Sequence, residues 1–246
     1  MMRQETSLMS YRIIIPARIG STRLPNKPLK DIAGKTLIER VVDQARKTSA
    51  KSIHVATDSD EIMYHCNEIN VEALLTNSNH RTGSDRLFES CDILKLSDEE
   101  LIINIQGDEP FIEPKDIENL AQLAEKENAN MVTLYSSLVS NDLVNKDVVK
   151  LWLDSNIVKD FSRDVDHLPR KDAKKHIGVY GYKVNFLQKF IKWKQSKNEI
   201  KRNLEQMRVM DNGEKIYAIE SSGKYHIGVD TESDLKQAIE IALDLE

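Results

Sequence analysis

YRIIIPARIGSTRLPNKPL, residues 11–29, decides how the rest of the chain is read. An apolar run, Ile13-Ile14-Ile15, stops at Pro16, and a loop follows that carries Arg18, Arg23 and Lys27 among small residues. Gly20, Ser21 and Thr22 leave backbone N–H groups accessible there, and a helical pattern begins after Thr36. A buried strand that empties into a cationic, small-residue loop and then a helix is the layout α/β proteins use to hold phosphate. The plain alternative for the same residues is a solvated basic loop between core elements.

Outward from this stretch, the pattern alternates. Thr36-x-x-Glu39 has capping-box form, and Ile38, Val41, Val42 and Ala45 recur at helical spacing. Ser52–Ala56 reads as a strand, followed by a helix with Ile62 and Met63; Val71–Leu75 is a further strand. Thr82 and Ser84 can cap a helix with Leu87, Cys91 and Leu94, and Leu101–Ile105 is the next strand. Pro114 suits the first turn of a helix with Ile117, Leu120, Ala121 and Ala124 on one face. Strands alternating with helices predict a mainly parallel, Rossmann-like nucleotide-binding sheet with helices on both faces.

The second half reads differently. Val148–Leu153 and Ile157–Phe161, around Asp154-Ser155-Asn156, predict an antiparallel hairpin. A charged stretch from Asp164 to Lys175, with Leu168 its only large apolar residue, predicts a loop or lid. His176–Tyr182 returns as a strand, Asn203–Met210 as a helix and Lys215–Glu220 as a strand; a last helix starts at Thr231. The expected organisation is one α/β domain over 1–246, with about 145–185 as a hairpin-containing insertion over the carboxyl edge of the sheet.

At 246 residues the chain can bury a large core. Its net charge of -5 argues against general binding to nucleic acid or a membrane surface, while leaving room for a local basic pocket. Cys66 and Cys91 have no metal spacing around them and read as buried free thiols in a reducing compartment. No apolar run approaches the roughly 20 residues that span a bilayer. The opening MMRQETSLMS lacks the apolar segment of a signal peptide, so a cytoplasmic protein is expected.

Ligands collect at the carboxyl ends of strands in an open parallel sheet. Three loops fall at such ends: Pro16–Lys27, the Asn79-His80-Arg81-Thr82-Gly83-Ser84 loop, and Gln106-Gly107-Asp108-Glu109-Pro110. The hydroxyls of Thr82 and Ser84 can hold a base or ribose, or merely cap their helix. Asp108 and Glu109 follow an apolar strand, where a carboxylate must be solvated, paired or on a metal; Mg²⁺ takes few carboxylates plus phosphate oxygens. Asp230, just before the last helix, reads first as an N-cap; the alternative is a second metal carboxylate facing Asp108. With period two, His176, Gly178, Tyr180 and Tyr182 share a strand face, a polar surface that can fit a sugar or pack structurally.

Together these stretches resemble the 3-deoxy-manno-octulosonate (Kdo) cytidylyltransferases, or CMP-Kdo synthetases. The resemblance is carried by IIPAR-x-x-STRLP-x-KPL at 14–29, VATD at 55–58, H-x-x-G-x-x-RL at 80–87 and N-x-QGDEP at 104–110. FSR at 161–163, H-x-G-x-YGY at 176–182, LEQ-x-R at 204–208, GEKI at 213–216 and GVDT-x-x-DL at 228–235 continue it along nearly the whole chain.

The resemblance implies a nucleotide-diphospho-sugar transferase type of fold. It also implies transfer of CMP from CTP to an eight-carbon 3-deoxy sugar acid, with diphosphate leaving in line, and a homodimer. Arg18 and Lys27, helped by Arg23, would hold the triphosphate. Pro16, Ala17, Ser21, His80, Thr82, Arg86 and Gln106 would complete the nucleotide site, with Gln106 near the reacting groups. Asp108 and Asp230 would hold Mg²⁺, and Arg163, His176, Tyr180, Glu205 and Gln206 would contact the sugar.

Three positions depart from the family. Asn26 stands where Gly is usual, and Asn is at ease with positive φ. Thr82 stands where Ser is common and keeps the hydroxyl. After Arg163 the segment is short and charged where relatives carry a longer stretch with Ile-Pro. The same reaction on a modified sugar such as 8-amino-Kdo is therefore the close alternative, and a non-catalytic nucleotide- or sugar-binding protein the remote one.

Overall fold

The run Ile13-Ile14-Ile15 is buried throughout, and its alternation sets the layers. The computed structural model describes residues 10–80, 82–165 and 169–245; the expected leader-free start at 1–9, Arg81 and Leu168 lie outside the described residues. The chain begins with β1 (Tyr11–Ala17) and the ribbon β2 (Asp31–Ile32) and β3 (Lys35–Thr36). Then α1 (Leu37–Ala45), β4 (Ile53–Thr57), α2 (Asp60–Glu68), β5 (Glu72–Leu75), α3 (Gly83–Ile93), β6 (Leu101–Asn104) and α4 (Pro114–Lys126) alternate. After them come β7 (Met131–Ser136), α5 (Ser140–Val144), the hairpin β8 (Lys150–Asp154) and β9 (Ile157–Ser162), and β10 (Lys174–Lys183). The chain closes with α6 (Val184–Lys192), α7 (Lys197–Arg202), α8 (Gln206–Asp211), β11 (Tyr217–Glu220) and α9 (Glu232–Leu245).

A nine-stranded sheet runs β5-β4-β1-β6-β10-β7-β11-β9-β8. Ile13 and Ile15 pack with α1, α2 and α4 on one face, whereas Ile14, Ala56 and Ile102 pack with α3, α6 and α8 on the other. Helices thus cover both faces, as the alternation predicts. The expectation of a mainly parallel sheet needs correction. Parallel pairing holds from β5 through β4 and β1 to β6 and again between β7 and β11, but β10 runs antiparallel to both of its neighbours, β6 and β7. The physical reason is connectivity: β10 returns from the hairpin without the helical crossover that parallel neighbours require. The hairpin extends the sheet at its edge, with β9 pairing β11, and β10 occupies the sheet's interior. Among its described residues, the charged stretch before it contains a 3-10 turn at Arg170–Asp172.

Local signals explain the element starts. Thr36 Oγ1 accepts the Glu39 N–H at 3.2 Å to open α1, and Thr82 and Asp85 form the capping box of α3. Asn26 sits at φ 55°, left-handed, just before the 3-10 turn Lys27–Leu29, so the residue replacing the usual Gly keeps the turn. Cys66 and Cys91 are free and buried. Burial pushes their thiols up to about 11 and about 12, which removes them as nucleophiles. Among the described residues no helix is long and apolar enough to cross a membrane.

The tightest packing lies where β10 enters the sheet. A Cβ on Gly181 would stand 2.6 Å from Val132 Cγ2 and 3.0 Å from Ile103 Cδ1. Gly181→Ala is expected to cost about 1–3 kcal/mol through overpacking, read as a lower urea midpoint at unchanged m-value. An unshifted midpoint would show that β10 can move aside.

Candidate functional site

The sheet's parallel half delivers three loops to one place. Gly107 makes this possible by close approach: a Cβ there would lie 2.8 Å from the Pro16 carbonyl oxygen. Only a residue without one lets the loop after β6 rest against the last residues of β1. The loop before α9 joins them through Val229 N–H, which donates to Asp108 O at 2.9 Å.

Lys27 closes the junction. Its Nζ lies 2.7 Å from Asp108 Oδ2 and 2.8 Å from Asp230 Oδ1, and Arg23 stands 2.9 Å from Asp230 Oδ2. Burial alone would lower the Lys27 pKa, but the two carboxylates outweigh it and hold it above the ordinary lysine value. Burial would raise Asp230; Lys27 and Arg23 outweigh that and lower it. The alternative for Asp230, a helix cap, is taken by other residues. Asp234 accepts from the N–H groups of Asp230 (3.0 Å) and Thr231 (2.8 Å), and Thr231 Oγ1 accepts from Asp234 N–H at 3.3 Å. The Asp230 carboxylate is left to the cations.

Glu109, beside Asp108, has a different character. Burial, then the neighbouring carboxylate of Asp108, pushes its carboxyl up to about 8 against the pull of Lys175. Its carboxyl therefore keeps its proton to higher pH than an ordinary glutamate does.

A cleft of about 330 Å³ spans these loops. Pro16, Ala17, Arg18, Ser21, Arg23 and Lys27 line it from the first loop, His80, Thr82 and Arg86 from the second, and Gln106 and Asp108 from the third, with Asp230 opposite. The structure thus brings together every residue expected at the nucleotide. Within it, Arg86 is buried; its guanidinium lies 2.7 Å from Asp58 Oδ2, and Asp58 Oδ1 accepts the Ile19 N–H at 3.4 Å. Arg86 therefore also braces the phosphate-type loop from behind.

A second space of about 850 Å³ opens beyond it, lined by Arg163, His176, Tyr180, Glu205 and Gln206, all expected at the sugar. Lys175 and Glu109 line it too; Lys175 carries no motif that marks it, its only sequence signal being a charge beside a recognised residue, whereas Glu109 belongs to the QGDEP motif but was given no place at the sugar. Arg23, Gln106 and Asp230 line both spaces, so the two meet there. The expected strand face holds, since His176 and Tyr180 ring centroids are 5.4 Å apart and Tyr180 and Tyr182 5.7 Å. Glu205 accepts from Ser84 Oγ at 2.8 Å, which joins α3 to α8, and burial raises its pKa. Arg208 instead pairs with buried Glu199, Nε to Oε2 at 2.8 Å, and holds α7 to α8.

His176 Nε2 lies 3.0 Å from Thr133 Oγ1, and that hydroxyl is 2.9 Å from Val179 O. With the hydroxyl proton committed to the carbonyl, Nε2–H must donate and Nδ1 is left as acceptor. Burial drives the imidazole down to about 3, so it is neutral.

The sequence model of the family described as Cytidylyltransferase matches residues 12–216. A protein of Idiomarina loihiensis named 3-deoxy-manno-octulosonate cytidylyltransferase is 38% identical over 252 residues, covering 96% of this chain and 100% of its own length. One of that name from Haemophilus influenzae is 36% identical, covering 93% of this chain and 97% of its own. The structure of a CMP:2-keto-3-deoxy-manno-octonic acid synthetase complexed with CTP superimposes with a TM-score of 0.89 at 32% identity, over 96% of this chain and 100% of the other. An apo UDP-glucose pyrophosphorylase, at 17% identity and a TM-score of 0.70 over 96% of this chain and 99% of its own, shares the fold.

A pH prediction follows from His176. Its unfolded value is near 6.5 and its folded value about 3, so between them the unfolded chain binds a proton the folded chain refuses. Stability therefore rises with pH across that window and is lost toward acid, by up to about 1.4 kcal/mol per pH unit. His176→Gln is expected to flatten this limb in urea titrations between pH 6 and 4, and an unchanged slope would contradict the assignment.

Proposed function

The chain belongs to the 3-deoxy-manno-octulosonate cytidylyltransferase family, and on that premise we propose that it joins CTP to Kdo, giving CMP-Kdo and diphosphate for lipopolysaccharide synthesis. The observation that carries this reading is the sharing of Arg23, Gln106 and Asp230 between the cationic cleft and the larger chamber. A nucleotide's phosphates in one and a sugar acid in the other would meet at those residues.

In this reading the anomeric hydroxyl of the sugar attacks the α-phosphorus, the P–O bond to the β-phosphate breaks, and the electron pair leaves on diphosphate. The protein makes no covalent bond, so its contribution is placement and charge. Arg18, Arg23 and Lys27 offset the charge that grows on the leaving diphosphate. His176, neutral and with Nδ1 as acceptor, orients a sugar hydroxyl, and Glu109 lines the chamber beside the meeting point. Arg163 supplies positive charge on the chamber wall toward the sugar carboxylate.

Asp108 and Asp230 would hold Mg²⁺. The fit lies in the donor set: an oxygen of each carboxylate converges on one cation, the Lys27 ammonium at 2.7 and 2.8 Å, and that ammonium would have to turn to the phosphates for Mg²⁺ to take its place. Among the described residues no group of three or more metal-binding side chains occurs, so the remaining ligands would be phosphate oxygens and water, as Mg²⁺ prefers. When bound, the ion would neutralise the phosphates and lower the cost of a developing alkoxide. A homodimer and a cytoplasmic location, where CTP is made, complete the proposal.

Diphosphate release should require CTP, Mg²⁺ and Kdo together, in a panel that includes 8-amino-Kdo and neuraminic acid. CTP binding by calorimetry without turnover on any of these would instead indicate a binding protein. Lys27→Met is expected to lower kcat by about 10²–10³-fold, the effect of removing one charge-stabilising donor. Asp108→Asn with near-normal turnover at saturating Mg²⁺ would refute the metal assignment.

A further inference from the structure

Lys150 is the largest fully buried side chain in the described residues, at 0% exposure on the hairpin strand β8. A lysine in such a place costs several kcal/mol of desolvation, on the order of a lost core contact or more, unless its donors are satisfied. Its Nζ donates to Asn145 O at 2.6 Å and to Arg163 O at 2.9 Å, carbonyls of two different segments. Burial lowers its pKa, against the more distant pull of Asp164 and Asp142.

Arg163 completes the arrangement from the other side. Its Nη1 donates to Lys146 O and Asp147 O, each at 3.0 Å. The successive carbonyls of residues 145, 146 and 147 thus turn onto two cations, one of which is anchored by the other through its own backbone. Asn145, Asp147 and Arg163 all line the larger chamber, and His176 N–H is fixed to Val149 O at 2.9 Å, one residue before Lys150. A strand needing only apolar fill at this position would take methionine. What the ammonium adds is a set of directed donors that hold the chamber wall.

We propose that Lys150 is a positioning residue for the sugar half of the site: its buried ammonium, clasped to Asn145 O and Arg163 O, sets the wall on which the sugar acid is held. This rests on the reading of the larger chamber as the sugar site. Arg163 then acts in two ways, through its charge and as the second half of the clasp.

Two measurements on Lys150→Met, which keeps length and removes the donors, test this. Amide hydrogen exchange at 145–148 should accelerate while that at 11–29 stays as in the unsubstituted protein. The KM for Kdo should rise about tenfold or more, the worth of charge-assisted hydrogen bonds, while the KM for CTP holds within about twofold. Lys150→Gln, with one amide donor kept, should fall between. Unchanged exchange at 145–148 overturns the proposal, as does a KM rise equal for CTP and Kdo, or for neither. Failure of both variants to fold overturns it too, since the lysine would then be a core residue alone. If the unsubstituted protein turns over no sugar of the panel, the proposed reaction fails, while the exchange result still decides whether Lys150 holds the wall.

Discussion

The contact on which the site depends is the Lys27 ammonium between Asp108 and Asp230, 2.7 and 2.8 Å away. Each of these residues comes from a different loop, far apart in the chain, and the lysine is only 16% exposed. Two carboxylates brought together would repel one another, so the cleft can be assembled only around a cation. Lys27 supplies it before any substrate is present. The close approach of Gly107 to Pro16 O and the Val229–Asp108 hydrogen bond hold the backbones at the distance this contact requires. Electrostatics and packing therefore specify the same geometry.

That arrangement spreads a common field over neighbours of unlike character. Asp230 is held below its usual range by Lys27 and Arg23 despite burial, whereas burial and the neighbouring Asp108 raise Glu109. His176 and Tyr180, farther into the larger chamber, are kept neutral by burial. One end of the site is thus dominated by clustered cations, while the other sets the neutral groups of His176 and Tyr180 among scattered charges such as Arg163 and Lys175. Such a division matches the two partners of a nucleotidyl transfer, a polyanion and a polyol.

How much of this could be read in the sequence depends on the range of the forces involved. The loop at 18–27 was legible because phosphate affinity there comes from adjacent residues and backbone N–H groups. Asn26 was legible for the same reason, since positive φ is a local property. Strand β7 has no flanking motif, and the direction of β10 is set by pairing with β6 and β7, each remote in sequence, so neither could be seen. Asp230 looked like a cap because it precedes a helix; only the fold shows that Asp234 and Thr231 perform that role. Arg86 is recognisable by its motif, but its brace to Asp58 requires knowing that the fold buries Arg86 against the end of β4. Glu109 was visible as a carboxylate after an apolar strand, but nothing in the string tells which of two adjacent carboxylates turns to the cations and which to the larger chamber.

The two halves of the site are built by different means. The nucleotide half stands on strand ends of the parallel part of the sheet, with short motifs whose residues must keep their spacing to keep their geometry. The sugar half stands on β10, the hairpin and the helices beyond, and is joined by single long-range ties: Ser84 to Glu205, Thr133 to His176, and Lys150 to Asn145 and Arg163. A wall held by such ties can accept a shortened segment after Arg163 so long as its anchors survive. In this chain they do: the carbonyls of 145–147 remain clasped although the stretch that follows is brief and charged. The chamber wall thus depends on side-chain ties within the hairpin region, whereas the cleft depends on the spacing of residues within its loops.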